Sequence, residues 1–505
     1  MTSDIHDTYA RLRDHARTTS ALAGIDALLG WDERCLLPIK AGEYRAEQMT
    51  LLAGMIHDRQ TDRRLGDWLA KLADSPLAAD PTSEMGTNIR QLRRQYEKKT
   101  KLPKSLVEEL ARASVRGQQI WQEARESDNF AHFKPALAQM IELKRQEADA
   151  LGYAETRYDA LLDDYEQGAL TSHVARVLEQ LREQLVPLVR AIADSTRRPD
   201  VTVLERKYPI DVQHSFGRDA ATRIGFDFAS GRLDVTAHPF CSTMGPFDVR
   251  LTTRYDERYF NSGFFGILHE AGHGLYEQGL PAEQYGLPAG EAISLGIHES
   301  QSRMWENLVG RSEAFWQHHY PLACTAFPEA LFDVGLERFH FAINDVRPSP
   351  IRVEADEATY NLHILVRFEL EQALINGDLP IDDLPAAWNE KYHVALGITP
   401  PNDADGVLQD IHWSAGLIGY FATYSLGNLY ASQFFEQAAD DVGPLDEQFA
   451  AGEYRPLLDW LRTKIHSQGQ RFTAAELVKR VTGRPLDHAP LMRHLWGKFG
   501  PLYNL

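Results

Sequence analysis

The chain has 505 residues, 43% hydrophobic and 25% charged, enough apolar surface for one large two-lobed core or two domains. Its formal net charge of −19 disfavours nucleic acid and anionic membranes as partners. Three cysteines, Cys35, Cys241 and Cys324, odd in number and far apart, argue against a disulfide framework and for a reducing compartment.

Asp4, His6, Asp7, Arg11 and Arg13 interrupt any apolar export segment at the start, so the cytoplasm is the expected location. Residues 4–30, 40–75, 86–99, 103–126, 130–151, 155–166 and 171–195 carry apolar residues at helical spacing on charged backgrounds and predict an N-terminal helical lobe over about 1–200. Between Arg232 and Tyr255 the pattern alternates. Val235-Thr-Ala-His-Pro-Phe240 and Phe247-Asp-Val-Arg-Leu-Thr-Thr-Arg-Tyr255 predict a small hairpin or sheet, with Cys241-Ser-Thr-Met-Gly-Pro246 as its turn. Long helices return near 262–278, 291–309, 353–376 and 413–436, within a portion of about 201–505. Trp413 to Phe435 has no charged residue and the length of a membrane span, but its glycines, tyrosines, Asn428 and Gln433 fit a buried helix lining a cleft better. No linker or repeat separates the parts, so residues 1–505 are expected to form one two-lobed unit.

The most informative stretch is His269-Glu270-Ala271-Gly272-His273. Two histidines four apart on a helix point the same way and can share one metal ion. Neutral imidazoles hold zinc without cancelling its charge, so a bound water can be acidified, and Glu270 is placed to take its proton. Asn261 or Ser262 could cap this helix and Gly279 could end it. The competing reading is a pair of surface histidines flanking a solvated Glu.

A third ligand decides between them. Metzincins require a histidine where this chain has Gly279 and a glycine where it has Tyr276, so that class is excluded. Gluzincins take a glutamate from a following helix, and Glu299, 26 residues after His273, leaves room for a turn and an antiparallel return. Glu277, one turn beyond His273, competes, but three ligands stacked on one helix fit tetrahedral geometry poorly. Glu277 is therefore expected at the surface or behind the ligands. His298 should point roughly 100 degrees away from Glu299 and pack, or support a ligand. A Glu beside an open ligand position favours an enzyme over a silent, peptide-binding or structural metal protein.

Six blocks in order give the chain a resemblance to a known family: His238-Pro239-Phe240, Asp248-Val-Arg250-Leu-Thr252, the metal motif, His298-Glu299-Ser300-Gln301, Ile351-Arg352-Val-Glu-Ala355-Asp356, and Gly406-Val-Leu-Gln409-Asp410-Ile-His412-Trp413. With Trp31-Asp32-Glu33 and Arg45-Ala-Glu47-Gln48 ahead of them, the sequence resembles the carboxypeptidase Taq family of metal-dependent carboxypeptidases over essentially its whole length. The resemblance implies a mostly helical two-lobed fold with a deep cleft, similar to neurolysin and angiotensin-converting enzyme. It also implies a homodimer, one Zn2+ per chain with Co2+ as a possible substitute, and release of single C-terminal residues from peptides with broad specificity.

Within that frame an exposed strand edge beside the metal could hold any extended peptide by backbone hydrogen bonds, though the hairpin could equally just cover the lobe junction. Arginine suits the terminal carboxylate. Arg352 is the first candidate, unless it merely pairs with Asp356, while Arg250 fits a polar ladder between Asp248 and Thr252. His412, Tyr420 and Tyr424 are the candidates to donate a hydrogen bond to the tetrahedral oxyanion, Tyr420 and Tyr424 being one turn apart if that segment is helical. His238, beside Pro239, is a candidate substrate contact whose alternative is a structural hydrogen bond. Among enzymes the runner-up is an endo-acting or dipeptide-releasing oligopeptidase.

Overall fold

The computed structural model describes residues 2–505, with side chains from Asp4 onward. It is 69% helical with one small sheet, which settles the mostly-α class and the expected two-lobed helical architecture. Among the described residues, no helix is long and apolar enough to cross a membrane.

The N-terminal helices follow the sequence pattern, with two breaks that have local causes. The stretch expected as one helix over 40–75 is two, Gly42–Gln60 and Arg63–Ala73, because the Asp62 carboxylate accepts the Arg64 N–H at 2.8 Å and caps the second. Such a cap stabilises a helix start by about 1 kcal/mol. Residues expected as helix over 155–166 give only Arg157–Leu162. Asp159 there accepts N–H groups from Glu155, Thr156 and Thr171, clamping the chain on both sides of the short helix. The turn that follows carries Glu166 inward.

One apolar core runs from Ala124 to Tyr503, and Leu12, Leu65, Leu69, Leu72 and Ile89 form a small separate cluster under the first helices. The helix Phe260–Glu277 crosses the large core; its Phe260 and Phe264 stack on each other at 5.2 Å, and Trp316 and Phe327 pack edge-on or tilted against them. Burying each such ring is worth roughly 1.5–3 kcal/mol, so the metal-motif helix is anchored at its N-terminal end by aromatic packing. Neither Asn261 nor Ser262 caps it. The helix starts two residues earlier than expected, at Phe260 after Tyr259, with no side-chain cap.

The sheet has three strands, β1 (Gly231–Val235), β2 (Cys241–Gly245) and β3 (Asp248–Thr253), in the order β1-β3-β2. This corrects the expected hairpin in two ways. Cys241–Gly245, expected as the turn, is itself a strand antiparallel to β3, and the turn is displaced to Pro246 and Phe247, where Phe247 adopts a left-handed φ of 65°. The alternating segment before it is divided, with β1 ending at Val235 and running parallel to β3. Because Thr252 N–H bonds the Phe240 carbonyl, Ser242 pairs with Arg250 in the bonded register while Cys241 and Thr243 turn their backbone groups away from β3. β2 is therefore a free edge at those two residues. At Met244 the edge is closed, since a Cβ added to Gly24 of the first helix would lie 2.2 Å from the Met244 carbonyl oxygen.

Downstream, Ser294 caps Leu295–Arg303, which runs on as a π-helical turn over Met304–Val309. The helix expected over 353–376 spans Tyr360–Asn376, because Asp356 accepts the Ala358 and Thr359 N–H groups and fixes a turn ahead of it. The uncharged segment expected as a helix over 413–436 is helical only from Ala422 to Val442. Gly416 and Gly419 sit at φ 79° and 92°, and a side chain on Gly419 would press on the Leu161 backbone at 2.9 Å, so this stretch is a run of close turns.

Candidate metal centre

The helix Phe260–Glu277 and the helix Leu295–Arg303 pack so closely at Gly272 that a Cβ there would stand 2.5 Å from the Gln301 carbonyl oxygen. This contact brings the two ligand-bearing faces together. His269 Nε2 lies 3.8 Å and His273 Nε2 3.5 Å from Glu299 Oε2, and these three atoms lie within 4.8 Å of one another. A single ion fits among two imidazole nitrogens and one carboxylate oxygen, with a tetrahedral position left for water. Glu277 is outside this group and half-buried.

Each candidate ligand is held by a second set of groups. Both histidines have their other nitrogen engaged, His269 Nδ1 with Glu306 Oε2 at 2.9 Å and His273 Nδ1 with His298 Nδ1 at 2.6 Å, so each Nε2 is free to face the common point. His298 passes the contact on to Glu277 at 2.8 Å, and Thr243 donates to the other Glu277 oxygen at 2.9 Å. Burial, then the neighbouring His298, pushes His273 well below the usual imidazole range and keeps it neutral, as a ligand must be. Arg303 donates to Glu299 Oε1 at 2.7 Å, fixing one oxygen while the other faces the histidines. Arg303 also contacts Glu306 and stacks over the Tyr360 ring at 4.3 Å.

Glu270 is 6% exposed, and burial pushes its carboxyl up to about 7. That is a value suited to taking and returning protons near neutrality. Across the helix pair, a Cβ on Gly427 of Ala422–Val442 would lie 2.6 Å from Glu299 Cγ, so this third helix bears directly on the ligand.

The turns ahead of that helix assemble the remaining candidates. His412 lies with its ring 5.4 Å from Tyr420, 4.4 Å from Phe421 and 6.3 Å from Tyr424, and the two tyrosines are 5.4 Å apart although Tyr420 precedes the helix. Burial lowers His412 to about 4 and raises both tyrosines, so all three are neutral donors at pH 7. Arg352 pairs with Asp410, not Asp356: its Nε and Nη2 donate to Asp410 Oδ1 at 3.0 and 2.8 Å, and Nη1 donates to the Tyr360 hydroxyl at 3.1 Å. Arg367 holds the other Asp410 oxygen at 2.6 Å. Arg352 keeps one unused N–H on each of Nη1 and Nη2, the end-on fork that matches a carboxylate. Arg250 pairs through two nitrogens with Asp248 at 2.8 and 2.9 Å and lies 4.3 Å over the Trp31 ring, joining the sheet to the first helix.

The structural hydrogen bond considered for His238 is not formed. Its side chain is exposed in the connection between β1 and β2 and has no hydrogen-bond partner among the described residues. Two residues escaped the sequence reading. Arg303 sits one turn after Glu299, a spacing that carried the signal, whereas Glu306 reaches His269 only because the π-helical turn shifts its phase.

A sequence model of the carboxypeptidase Taq (M32) metallopeptidases matches residues 11–499. Thermostable carboxypeptidase 1 of Thermus thermophilus is 49% identical over 506 residues, covering 98% of this chain and 99% of that protein. Carboxypeptidase 1 of Bacillus subtilis is 36% identical, covering 99% of this chain and 100% of its own. The crystal structure of an M32 carboxypeptidase from Deinococcus radiodurans R1 superposes with a TM-score of 0.95 at 38% identity, over 99% of this chain and 100% of that one.

Proposed function

The chain belongs to the carboxypeptidase Taq (M32) metallopeptidases and is a metallocarboxypeptidase, and we propose that it releases single amino acids in sequence from peptide C-termini with broad specificity, using Glu270 as general base. The observation that carries this reading is the convergence of His269, His273 and Glu299 beside the buried Glu270. The proposed ion is Zn2+, one per chain, with Co2+ able to replace it. When bound, it polarises a water molecule and the scissile carbonyl.

The chain's own groups supply the rest. Glu270 takes the proton of the attacking water and returns it to the leaving amine. His412 and Tyr424, neutral and on the wall formed by the turns before Ala422, donate to the oxyanion, with Tyr420 beside them as a substrate contact. Arg352 receives the terminal carboxylate on its free fork, rigidly aimed because Asp410 and Tyr360 occupy its other edges. The open edge of β2 holds the peptide backbone upstream, and Arg250 holds that sheet to the first helix. His238, exposed and unbonded where the chain enters β2, is the further candidate contact.

Residues 1–505 act in this reading as one two-lobed unit, supported by the continuity of the core from Ala124 to Tyr503 across the division near residue 200. We infer a homodimer from the apolar surface of the second helix and the turn leading into it, where Leu36, Ile39, Tyr44 and Leu51 are exposed and Gly42–Gln60 buries no residue fully. Three free cysteines suit a cytoplasmic workplace.

The test is a mass-spectrometric time course on one peptide with a free and with an amidated C-terminus. Stepwise loss of single residues from the free form alone is expected. Dipeptide release, or equal cleavage of the amidated form, would replace this reading by an oligopeptidase.

A further inference from the structure

At the far end of the β2 edge lies a cavity of about 360 Å³ that opens to the surface. Its walls include Thr243 and Phe247 of the strand and its turn, Glu277 at the end of the motif helix, Tyr285, Glu291 and Arg462. The chemistry of the walls is divided. Phe247, Tyr285 and Leu280 offer apolar and aromatic surface, while Glu277, Glu291 and Asp227 outnumber the single cation Arg462. Glu277 is committed to His298 and Thr243, and Asp227 to the Ala229 N–H and the Ser230 hydroxyl. Glu291 has only one long contact, from Gln470 Nε2 at 3.4 Å.

The strand register says which part of a peptide reaches this space. A peptide added antiparallel to β2 pairs its backbone with the free groups of Cys241 and Thr243, and residues directly opposite each other in such a pair direct their side chains to the same face. Cys241 is half-buried and shares its strand face with Thr243, which donates to Glu277; Glu270 lies two turns back along that same helix and acts on the Cys241 thiol, so the residue opposite Cys241 is assigned the position preceding the scissile bond. The residue opposite Thr243 is then two positions upstream, the fourth from the C-terminus. Thr243 turns its hydroxyl to Glu277, so the side chain opposite it enters the cavity.

Resting on the carboxypeptidase reading above, we propose that this cavity is a substrate subsite that takes a long basic side chain, lysine or arginine, at the fourth position from the C-terminus, with Glu291 receiving its charge. The aliphatic stem lies along Phe247 and Leu280 with Tyr285 beside it, and the charged head reaches Glu291.

The experiment uses alanine hexapeptides with lysine placed at the third, fourth or fifth position from the C-terminus, one with glutamate at the fourth, and the unsubstituted peptide. Lysine at the fourth position is expected to exceed glutamate there by about tenfold in kcat/KM, carried by KM, and to exceed lysine at the flanking positions. In Glu291→Gln the ratio should fall toward one. In Arg462→Ala, which removes the competing cation, it should rise, giving an independent reading if Glu291→Gln does not fold. A flat position scan with normal release from the unsubstituted peptide, or an undiminished ratio in folded Glu291→Gln, would overturn the subsite alone. Failure to release single residues from the unsubstituted peptide would overturn the carboxypeptidase reading and the subsite with it.

Discussion

His273 and His298 meet nitrogen to nitrogen, Nδ1 to Nδ1 at 2.6 Å. Only one of the two can carry the proton between them. A neutral His273 that offers its Nε2 lone pair to an ion must be protonated on Nδ1, so His298 accepts there and donates its own Nε2 proton to Glu277. The carboxylate thus orients the ligand through an intervening imidazole, whereas Glu306 orients His269 directly.

Metal content should report this difference in rank. Glu299→Ala removes a ligand and should leave the protein without an ion, while Glu277→Ala, which only loosens His298, should keep one with affinity lowered about 10–100-fold. Atomic absorption after dialysis against a graded chelator measures both. Equal metal content in the two variants would reverse the assignment of ligand and support.

Glu270→Gln preserves shape but cannot accept a proton. It should retain the ion and peptide binding and lose turnover by several orders of magnitude. Near-normal turnover with intact metal would remove Glu270 from the chemistry.

Gly272 tests the helix contact behind the centre. A methyl group there meets the Gln301 carbonyl oxygen at 2.5 Å and the Ser302 Cα at 2.6 Å, backbone atoms that cannot rotate away. Gly272→Ala should therefore push the two ligand helices apart, costing about 1–3 kcal/mol of stability and weakening the ion. A variant with unchanged melting temperature and metal affinity would show that the contact is slack.

The grouping of His269, His273 and Glu299 was legible in the sequence because helix periodicity fixes which residues share a face: His269 and His273 four apart, and Glu299 on a returning helix. The same logic failed where the chain leaves regular structure. Cys241–Gly245 carries glycine and small polar residues that signal a turn, yet pairing with β3 makes it a strand, a long-range effect absent from local pattern. Tyr420 and Tyr424 do come together at the one-turn spacing, although Tyr420 lies just ahead of the helix, because the Thr423 and Tyr424 N–H groups bond the Tyr420 and Phe421 carbonyls and wind the chain into it. The Asp410 partner of Arg352 lies 58 residues away in sequence, beyond any spacing rule, whereas the expected neighbour Asp356 is taken up by turn N–H groups.

Arg352 can be separated from its structural role because Arg367 also neutralises Asp410. Arg352→Ala should fold, lose about 2–5 kcal/mol of transition-state binding on free C-termini, and lose nearly all preference over amidated peptides. Arg250→Ala should chiefly lower the melting temperature, since Arg250 joins Asp248 and Trp31. A wild-type preference ratio in Arg352→Ala would move the carboxylate site to Arg250 or to the tyrosines near Tyr420.

Acid stability should depend on Glu357, paired in the interior with Lys498 and His494, each at 2.6 Å. Burial alone would raise this carboxyl, but Lys498 and the hydrogen bond with His494 beside it hold it at about 2. An unfolded glutamate titrates near about 4.3. Because the folded value is depressed, the group stabilises the fold fully above the unfolded value, and that contribution is lost as pH falls from about 4.3 toward about 2. Glu357→Gln removes it and leaves Lys498 without its partner, which should cost about 3–5 kcal/mol at pH 7. The melting temperatures of wild type and Glu357→Gln should therefore differ most at neutral pH and converge as pH is lowered through that window. A difference that stays constant down to the acid limit would mean that the side chain contributes packing and not charge.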